Sequence, residues 1–157
     1  MMKKLFLISL LGMVAMLSFT SCSDDDDDEL AKDVDKNIVG EWALVEYDSY
    51  GTNLFMERMN LKANGSFSIT DYDAYGQGLF NGGSVSQVEK AEYSGTYTAV
   101  SGQLKMTANG KSVTYYYSVN GNSLTLSGSD GAVTYDKMDS DIEEAFNSAE
   151  KWYQNHK

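Results

Sequence analysis

The sequence predicts an all-β fold: an eight-stranded antiparallel up-and-down meander that closes into a barrel, followed by one C-terminal α-helix. From Ile38 onward, apolar and polar residues alternate with a period of two, which is typical of strands with one buried face. Asn-Gly pairs at 64–65, 109–110 and 120–121 interrupt this alternation, and Asn-Gly favours tight hairpins. No proline occurs in the 157 residues, and near the C-terminus the apolar spacing changes to three and four residues.

Turn residues divide positions 38–138 into eight predicted strands. Ser101-Gly102 and Ser129-Asp130-Gly131 add two turns to the three Asn-Gly pairs. The strands are predicted at 39–47, 57–63, 66–72, 92–100, 103–108, 111–119, 122–127 and 132–138. Tight hairpins join antiparallel neighbours, because a parallel pair needs a crossover of about a dozen residues or more. Closure of this meander into a barrel would remove the two edges that could otherwise recruit other chains.

The alternation also predicts which side chains face the barrel interior. They are mostly large and apolar or aromatic: Met59, Leu61, Phe67, Ile69, Tyr93, Tyr97, Leu104, Met106, Val113, Tyr115, Tyr117, Leu124, Leu126, Val133 and Tyr135. An eight-stranded barrel is just wide enough to be filled by side chains or to hold one small ligand. Both possibilities remain open at the level of the sequence.

Residues 139–157 are predicted to form an amphipathic α-helix. Its apolar residues recur at three- and four-residue spacing and share one face: Ile142, Ala145, Phe146, Ala149, Trp152 and Tyr153. Ser140 and Glu143 match a capping box at the start of the helix. The apolar face is expected to pack on the barrel or, alternatively, to bind a protein partner.

Residues 1–21 are predicted to be a secretory signal peptide, with Lys3 and Lys4 before an apolar run at 5–19. That run is shorter than the roughly 20 residues that span a bilayer as a helix. The segment 17–22 resembles a bacterial lipoprotein box, although Phe19 stands where most such boxes carry an aliphatic residue. The resemblance implies that Cys22 is acylated and anchors the mature chain to the membrane. The alternative is a chance cysteine behind an ordinary signal, but a free thiol in an oxidising compartment would be a liability.

Residues 22–37 are predicted to be an acidic tether after the lipidated Cys22. Six consecutive acids occupy 24–29, and their mutual repulsion keeps such a segment extended. The run is either a hydrophilic spacer or an export signal. It resembles the acidic signal that sends some Gram-negative lipoproteins to the outer face of the outer membrane, which implies a surface-exposed location.

Charge and composition argue against several classes of function. The net charge is −11 with twelve scattered lysines and arginines, so we expect no nucleic-acid partner. The single histidine, His156, lies next to the C-terminus, which disfavours a catalytic triad or a histidine-rich metal site. We therefore expect no metal, no cofactor and no enzymatic activity.

Acidic residues between positions 71 and 92 are the remaining candidates for chemistry. Asp71 and Asp73 resemble the start of a calcium loop, but tyrosine and glycine stand where further ligands are required. The pairs Asp71 with Asp73 and Glu89 with Glu92 are possible acid–base pairs, although nothing in the sequence separates their pKa values. Residues 73–90 are predicted to be a long glycine-rich loop, either a lid over the barrel mouth or a variable excursion.

Tyrosine is unusually frequent, with eleven in the chain. Strand propensity and cross-strand packing explain many of them. Alternatively, phenol rings line a pocket in which ring faces stack on a ligand and hydroxyl groups orient it. The candidate ligand-binding residues are Tyr93, Tyr97, Tyr115, Tyr117 and Tyr135.

The motif Gly40-Glu41-Trp42 at the head of the first strand resembles the Gly-x-Trp signature of lipocalin and calycin barrels. With segments 61–67 and 117–126, it resembles more closely the small lipocalin-like lipoproteins common in gut-type Gram-negative bacteria. The resemblance covers residues 38–138. It implies a lipocalin-like barrel in which Gly40 and Trp42 are structural and the tryptophan packs across the closed end.

Together these features predict a lipid-anchored, non-enzymatic surface lipoprotein that binds a small apolar or glycan-like ligand in the barrel mouth. The alternative is a structural or interaction lipoprotein with a filled barrel and a protein partner. A minor third possibility is an accessory hydrolase, which two converging acids with raised pKa values would favour.

Overall fold

The computed structural model describes residues 31–79 and 83–157. It has eight antiparallel strands in a closed barrel, ordered β1 to β8, and one C-terminal helix, so the predicted fold class is confirmed. The elements are a 3-10 helix (Lys36–Ile38), β1 (Gly40–Tyr47), β2 (Asn53–Leu61), β3 (Ser66–Gln77), β4 (Ser84–Val100), β5 (Gln103–Ala108), β6 (Lys111–Asn120), β7 (Ser123–Gly128), β8 (Gly131–Lys137) and α1 (Ser140–His156). The predicted signal peptide, Cys22 and the acidic run lie outside the described residues.

Consecutive strands pair in order, and β8 pairs back to β1 through Trp42 with Lys137 and Ala43 with Asp136. The hairpins therefore alternate between two ends of the barrel. We call the end with the β1–β2, β3–β4, β5–β6 and β7–β8 hairpins the upper end, and the other the lower end. At the β5–β6 hairpin, Asn109 and Gly110 have φ of 52° and 74°, the positive values that a type I′ turn requires.

Strands β2, β3 and β4 are longer than the sequence predicts. β2 begins at Asn53, β3 continues to Gln77 and β4 begins at Ser84, so most of the predicted 73–90 loop consists of paired strands. The prediction of a loop over 73–90, and of a lid of that length, is therefore wrong. Apolar–polar alternation does not identify these strand segments in the sequence, because several of their inward positions carry acids instead of apolar side chains.

The lower half of the barrel is tightly filled. One interior cluster runs through both halves of the barrel and contains or contacts all the side chains predicted to face inward. In its lower part, Trp42, Met59, Leu61 and Leu124 are at most 1% exposed. The indole Nε1 of Trp42 donates a hydrogen bond of 2.8 Å to the backbone oxygen of Ile38 in the 3-10 helix. The structure thus places Trp42 across the lower end, beside the helix that covers it.

Residues 31–37, which the sequence assigns to the extended tether, pack against the same lower end. The backbone nitrogen of Ala31 donates to the oxygen of Ala63 at 2.9 Å, and that of Ala99 donates to the oxygen of Asp33 at 2.7 Å. The side chain of Val34 is buried. These backbone bonds add the end of the predicted tether to the folded domain.

The helix α1 packs on the outer wall of the barrel. Of the two expectations for its apolar face, packing on the barrel is therefore the one that the structure shows. Phe146 and Ala149 are buried in a second cluster formed with outward side chains of β1 to β4: Ala43, Met56, Tyr72, Ala74 and Val88. Lys90 Nζ lies 2.9 Å from Glu150 Oε2 and ties the helix to β4. No helix within 31–79 and 83–157 combines the length and hydrophobicity needed to cross a membrane.

The N-cap residue of α1 is Asp139, one position before the Ser140 that the sequence predicts. The carboxylate of Asp139, not the hydroxyl of Ser140, accepts hydrogen bonds from the backbone nitrogens of Asp141 and Ile142 at 3.1 and 2.9 Å. An aspartate cap also adds negative charge at the positive end of the helix dipole. The predicted Ser140 cap is therefore wrong by one position.

We expect Trp42→Ala to lower the free energy of unfolding by about 3–5 kcal/mol, because it empties a fully buried site and leaves the Ile38 carbonyl without its donor. Urea unfolding followed by far-UV circular dichroism measures this change. The matched control is Trp152→Ala on the half-buried flank of α1, for which a loss of about 1–2 kcal/mol is expected. Equal losses in the two variants would contradict a special role for Trp42.

Candidate functional site

The upper half of the barrel interior is polar on one side. Five carboxylates line strands β1 to β4, and we call this set the acidic wall: Glu46, Glu57, Asp71, Asp73 and Glu89. Each is an even number of residues from a side chain of the interior cluster on its own strand, so all five belong to the inward face, where Glu57 and Asp71 are buried and Glu89 is exposed. Register pairs Glu57 directly with Asp71, and Asp73 with Glu89.

Glu57 is the most deeply placed acid of this wall, with an exposed fraction of 0%. Its Oε1 accepts a hydrogen bond of 2.7 Å from the hydroxyl of Tyr135, which reaches it from β8. Its Oε2 has no hydrogen-bond partner in the described chain. Burial raises the pKa of Glu57 to about 7; the bond from Tyr135 opposes this shift and the charge of Glu46 adds to it.

Asp71 lies opposite Glu57 and is 4% exposed. Burial raises the pKa of Asp71 to about 8, and the charges of Glu57 and Asp73 add to the shift. Its Oδ1, like Oδ1 of Asn53 nearer the upper end of β2, has no hydrogen-bond partner within 31–79 and 83–157. Two facing carboxylates repel each other, so both of these carboxyls favour the neutral form more strongly than an ordinary exposed acid does.

Three of the five candidate tyrosines meet the acidic wall. Tyr135 donates to Glu57, as described above. Burial raises the pKa of Tyr93, and the charges of Asp71, Glu57 and Asp73 raise it further, which reflects their proximity to its phenol. Burial also raises the pKa of Tyr115, with Glu57 again contributing.

The other two candidate tyrosines lie at the lower end and have structural partners. The hydroxyl of Tyr97 donates to the backbone oxygen of Lys62 at 2.8 Å, and burial raises its pKa to about 12. The hydroxyl of Tyr117 donates to Oδ2 of Asp35 at 2.9 Å and thereby holds the segment that precedes β1. The structure therefore divides the predicted tyrosine set between two ends of the barrel.

The wall that faces the acids is apolar. Strands β5 to β8 carry no inward carboxylate in their upper halves; their inward residues there include Met106, Ala108, Val113, Leu126 and Val133. At the rim of this side lie two exposed charges of opposite sign, Lys111 and Asp130. The upper interior thus combines a row of acids, three tyrosines and an apolar surface.

Sequence reasoning missed Glu57 as a site residue and considered Asp71 only with Asp73, as the start of a calcium loop or as an acid–base pair. The parity that predicted Met59 and Leu61 to face inward also places Glu57 inward, so a signal for it was present. Of the acid pairs considered, Glu89 belongs to the acidic wall, whereas Glu92 faces outward and pairs with Lys90 at 2.9 Å. In the described part of the chain, no three His, Cys, Asp or Glu side chains are grouped closely enough to hold a metal ion.

Comparison with known proteins is consistent with this architecture. A family model described as a lipocalin-like domain matches residues 38–126, more than half of the 157-residue chain. The match covers β1 to β6 and most of β7, including Glu57 and Asp71. No curated protein and no solved structure matches the chain.

We expect the free energy of unfolding to fall as pH rises from about 4.5 to about 8. In this window the folded protein retains protons on Glu57 and Asp71 that the unfolded chain releases, because both folded pKa values are raised. The slope approaches about 1.4 kcal/mol per pH unit for each retained proton. Urea unfolding at a series of pH values measures it.

The double variant Glu57→Gln, Asp71→Asn should flatten this dependence and be more stable than the wild type above about pH 8, since its side chains cannot ionise. Glu144→Gln, a change at an exposed position of α1, is the control and should retain the wild-type slope. An unchanged slope in the double variant would show that other groups cause the pH dependence.

Proposed function

Because the chain belongs to the lipocalin-like domain family, we propose that it is a non-enzymatic binding protein that holds a small ligand in the upper half of its barrel. One observation carries this proposal: Glu57 Oε2 and Asp71 Oδ1 are buried in the described structure without a hydrogen-bond partner. A buried polar atom without a partner costs about 1–3 kcal/mol. A ligand with hydrogen-bond donors would offset that cost, whereas a barrel evolved solely as a packed core has no use for it.

The character of the ligand follows from the polar groups of the interior. The lower half is filled by apolar side chains such as Trp42, Leu61 and Leu104, each at most 1% exposed, so the proposed site lies in the upper half, where the unpaired carboxyl oxygens are. A wholly apolar ligand would leave the carboxyl oxygens unpaired. Of the two predicted ligand classes, apolar and glycan-like, the acidic wall disfavours a purely apolar ligand and favours one that carries hydrogen-bond donors.

The alternative, a structural or interaction protein, is supported by the filled lower half. However, the apolar face of α1 cannot be the partner-binding surface of such a protein, because the barrel wall covers it. The most exposed large apolar side chains in the described residues, Tyr50, Tyr116 and Val100, lie on three different parts of the barrel. Buried unpaired carboxyls also have no role in a protein that acts through its outer surface.

An accessory hydrolase was expected to show converging acids with raised pKa values, and Glu57 with Asp71 form such a pair. Acid–base catalysis by two carboxyls needs one acid and one base, that is, pKa values that the environment pushes apart. Here burial raises both. Lipocalin-like domains are also generally non-enzymatic, so we favour binding over catalysis.

The proposal includes a membrane anchor at Cys22 and exposure on the outer membrane surface. It is supported by the signal-like residues 1–21, the lipoprotein-box resemblance and the acidic run at 24–29. The described chain joins the barrel at its lower end, through the backbone bonds of Ala31 and Asp33. A tether that arrives there leaves the upper end, with the acidic wall, on the opposite side of the barrel.

The binding proposal is tested by native mass spectrometry of the full chain, released from detergent and mixed with a panel of oligosaccharides and lipids. We expect at least one polar panel member to be retained and to be lost in Leu126→Trp, which fills the upper interior. The control is Thr134→Trp, a change at an outward-facing position of β8. Retention of nothing, with unchanged melting temperatures, would favour the structural alternative.

The anchor is tested by Cys22→Ala. We expect this variant to lose incorporation of radiolabelled palmitate and to leave the membrane fraction, because the acylated thiol is absent. Ser23→Ala is the matched control and should be labelled like the wild type. Protease treatment of intact labelled cells reports whether the domain faces outward, and labelling of the Cys22→Ala variant would contradict the anchor.

A further inference from the structure

We propose that the acidic wall binds an organic cation: a primary or secondary ammonium group carried on a compact apolar body. This inference rests on the proposed function, since it names the chemistry of the ligand that the upper barrel would hold. It is argued from the charge, burial and register of the residues inside that half of the barrel.

The two buried carboxyls lack a paired cation among the described residues. Glu57 and Asp71 face each other, with Glu46 and Asp73 close enough to affect their ionisation. Neither Glu57 nor Asp71 belongs to an ion pair among the described residues. The ion pairs of the described residues, such as Arg58 with Glu41 at 2.5 Å, lie on the outer surface of the barrel.

Glu57 also presents a buried acceptor oxygen that has no partner among the described residues. Glu57 is 0% exposed, and its Oε1 is already bonded to Tyr135 while Oε2 has no partner among the described residues. An ionised or neutral carboxyl oxygen in this position accepts an N–H donor. Ammonium groups supply several such donors together with the positive charge, and charge-assisted hydrogen bonds are about twice as strong as neutral ones.

The lining of the upper interior differs in character from one side to the other. The acids occupy β1 to β4, and the opposite strands present apolar side chains such as Met106, Leu126 and Val133. A ligand that matches both sides has a charged end and an apolar body. Tyr93 and Tyr115 lie beside the acids, and aromatic rings next to a cation add favourable electrostatic attraction.

The same geometry disfavours two other ligand chemistries. A carboxylate or phosphate ligand would add negative charge to a wall that already carries five acids. A neutral glycan would satisfy the free oxygens through hydroxyl donors but would leave the charges uncompensated when the acids ionise. The amine therefore fits both the charge and the hydrogen-bonding requirement.

The experiment is isothermal titration of the full chain in a nonionic detergent with hexylamine, hexan-1-ol and hexanoate, which share one apolar body. We expect the amine to bind at least roughly tenfold more tightly than the alcohol and hexanoate not to bind, because charge-assisted bonds distinguish them. Glu57→Gln and Asp71→Asn should each weaken amine binding by roughly tenfold or more and leave alcohol binding unchanged. Glu144→Gln is the exposed control, and circular dichroism confirms that each variant is folded.

Amine binding should also strengthen with pH between about 6 and about 9, by up to about tenfold per pH unit for each proton released. A cation favours the ionised carboxyls, while hexylamine, like lysine, stays protonated below about pH 10. The titratable groups that face the site are the acidic wall with Tyr75, Tyr93, Tyr115 and Tyr135, and Lys111 and Asp130 at the rim. Alcohol binding should not change with pH.

The outcomes separate this inference from the function on which it rests. Equal binding of amine and alcohol, or amine binding that both acid variants retain, would overturn the cation inference and leave a ligand-binding barrel intact. If calcium chloride displaces the amine and sodium chloride at the same ionic strength does not, the site binds an inorganic cation, and this result would also overturn the inference of an organic cation. Failure of these probes and of the whole lipid and oligosaccharide panel would overturn both proposals.

Discussion

Closure of the barrel is the constraint on which the rest of the structure depends. Two residue pairs, Trp42 with Lys137 and Ala43 with Asp136, join the first strand to the last and convert an open meander into a surface with an inside and an outside. Closure brings the hydroxyl of Tyr135 on β8 to Glu57 on β2, although 78 residues separate them. Without it, a carboxylate on β2 would face water and the acidic wall would be an ordinary solvated strand face.

The two halves of the interior have opposite physical roles. The lower half is filled by tightly packed apolar side chains and is covered by the 3-10 helix through the Trp42 to Ile38 hydrogen bond. Its burial supplies the stability that offsets the cost of placing acids in the upper half. A region that departs from the usual preference for apolar interiors, inside a domain that otherwise obeys it, is where function is expected. The outer cluster beneath α1 adds support without occupying the interior, because the helix packs on the wall.

Much of the fold and about half of the candidate site were predictable from the sequence. Tyr93, Tyr115 and Tyr135 were identified because aromatic residues at inward positions are candidates for a pocket wall. Glu57 was missed and the burial of Asp71 was not predicted, because an acid in a strand is usually assigned to the solvated face and its burial depends on strands distant in sequence. The cap at Asp139 differs from the predicted Ser140 for a similar reason, since two adjacent residues both had suitable oxygens and the geometry selected one.

The sequence by itself determined the number and order of the strands, the interior apolar residues and the helical stripe of α1. These properties are local: strand alternation and helix spacing follow from backbone geometry, and Asn-Gly pairs mark where the chain reverses. Tertiary structure alone decided the lengths of β2 to β4, the packing of residues 31–37, the docking of α1 and the enclosure of Glu57 and Asp71. Each of these depends on contacts between segments far apart in the chain, because a side chain is buried by its neighbours in space and not by its neighbours in sequence.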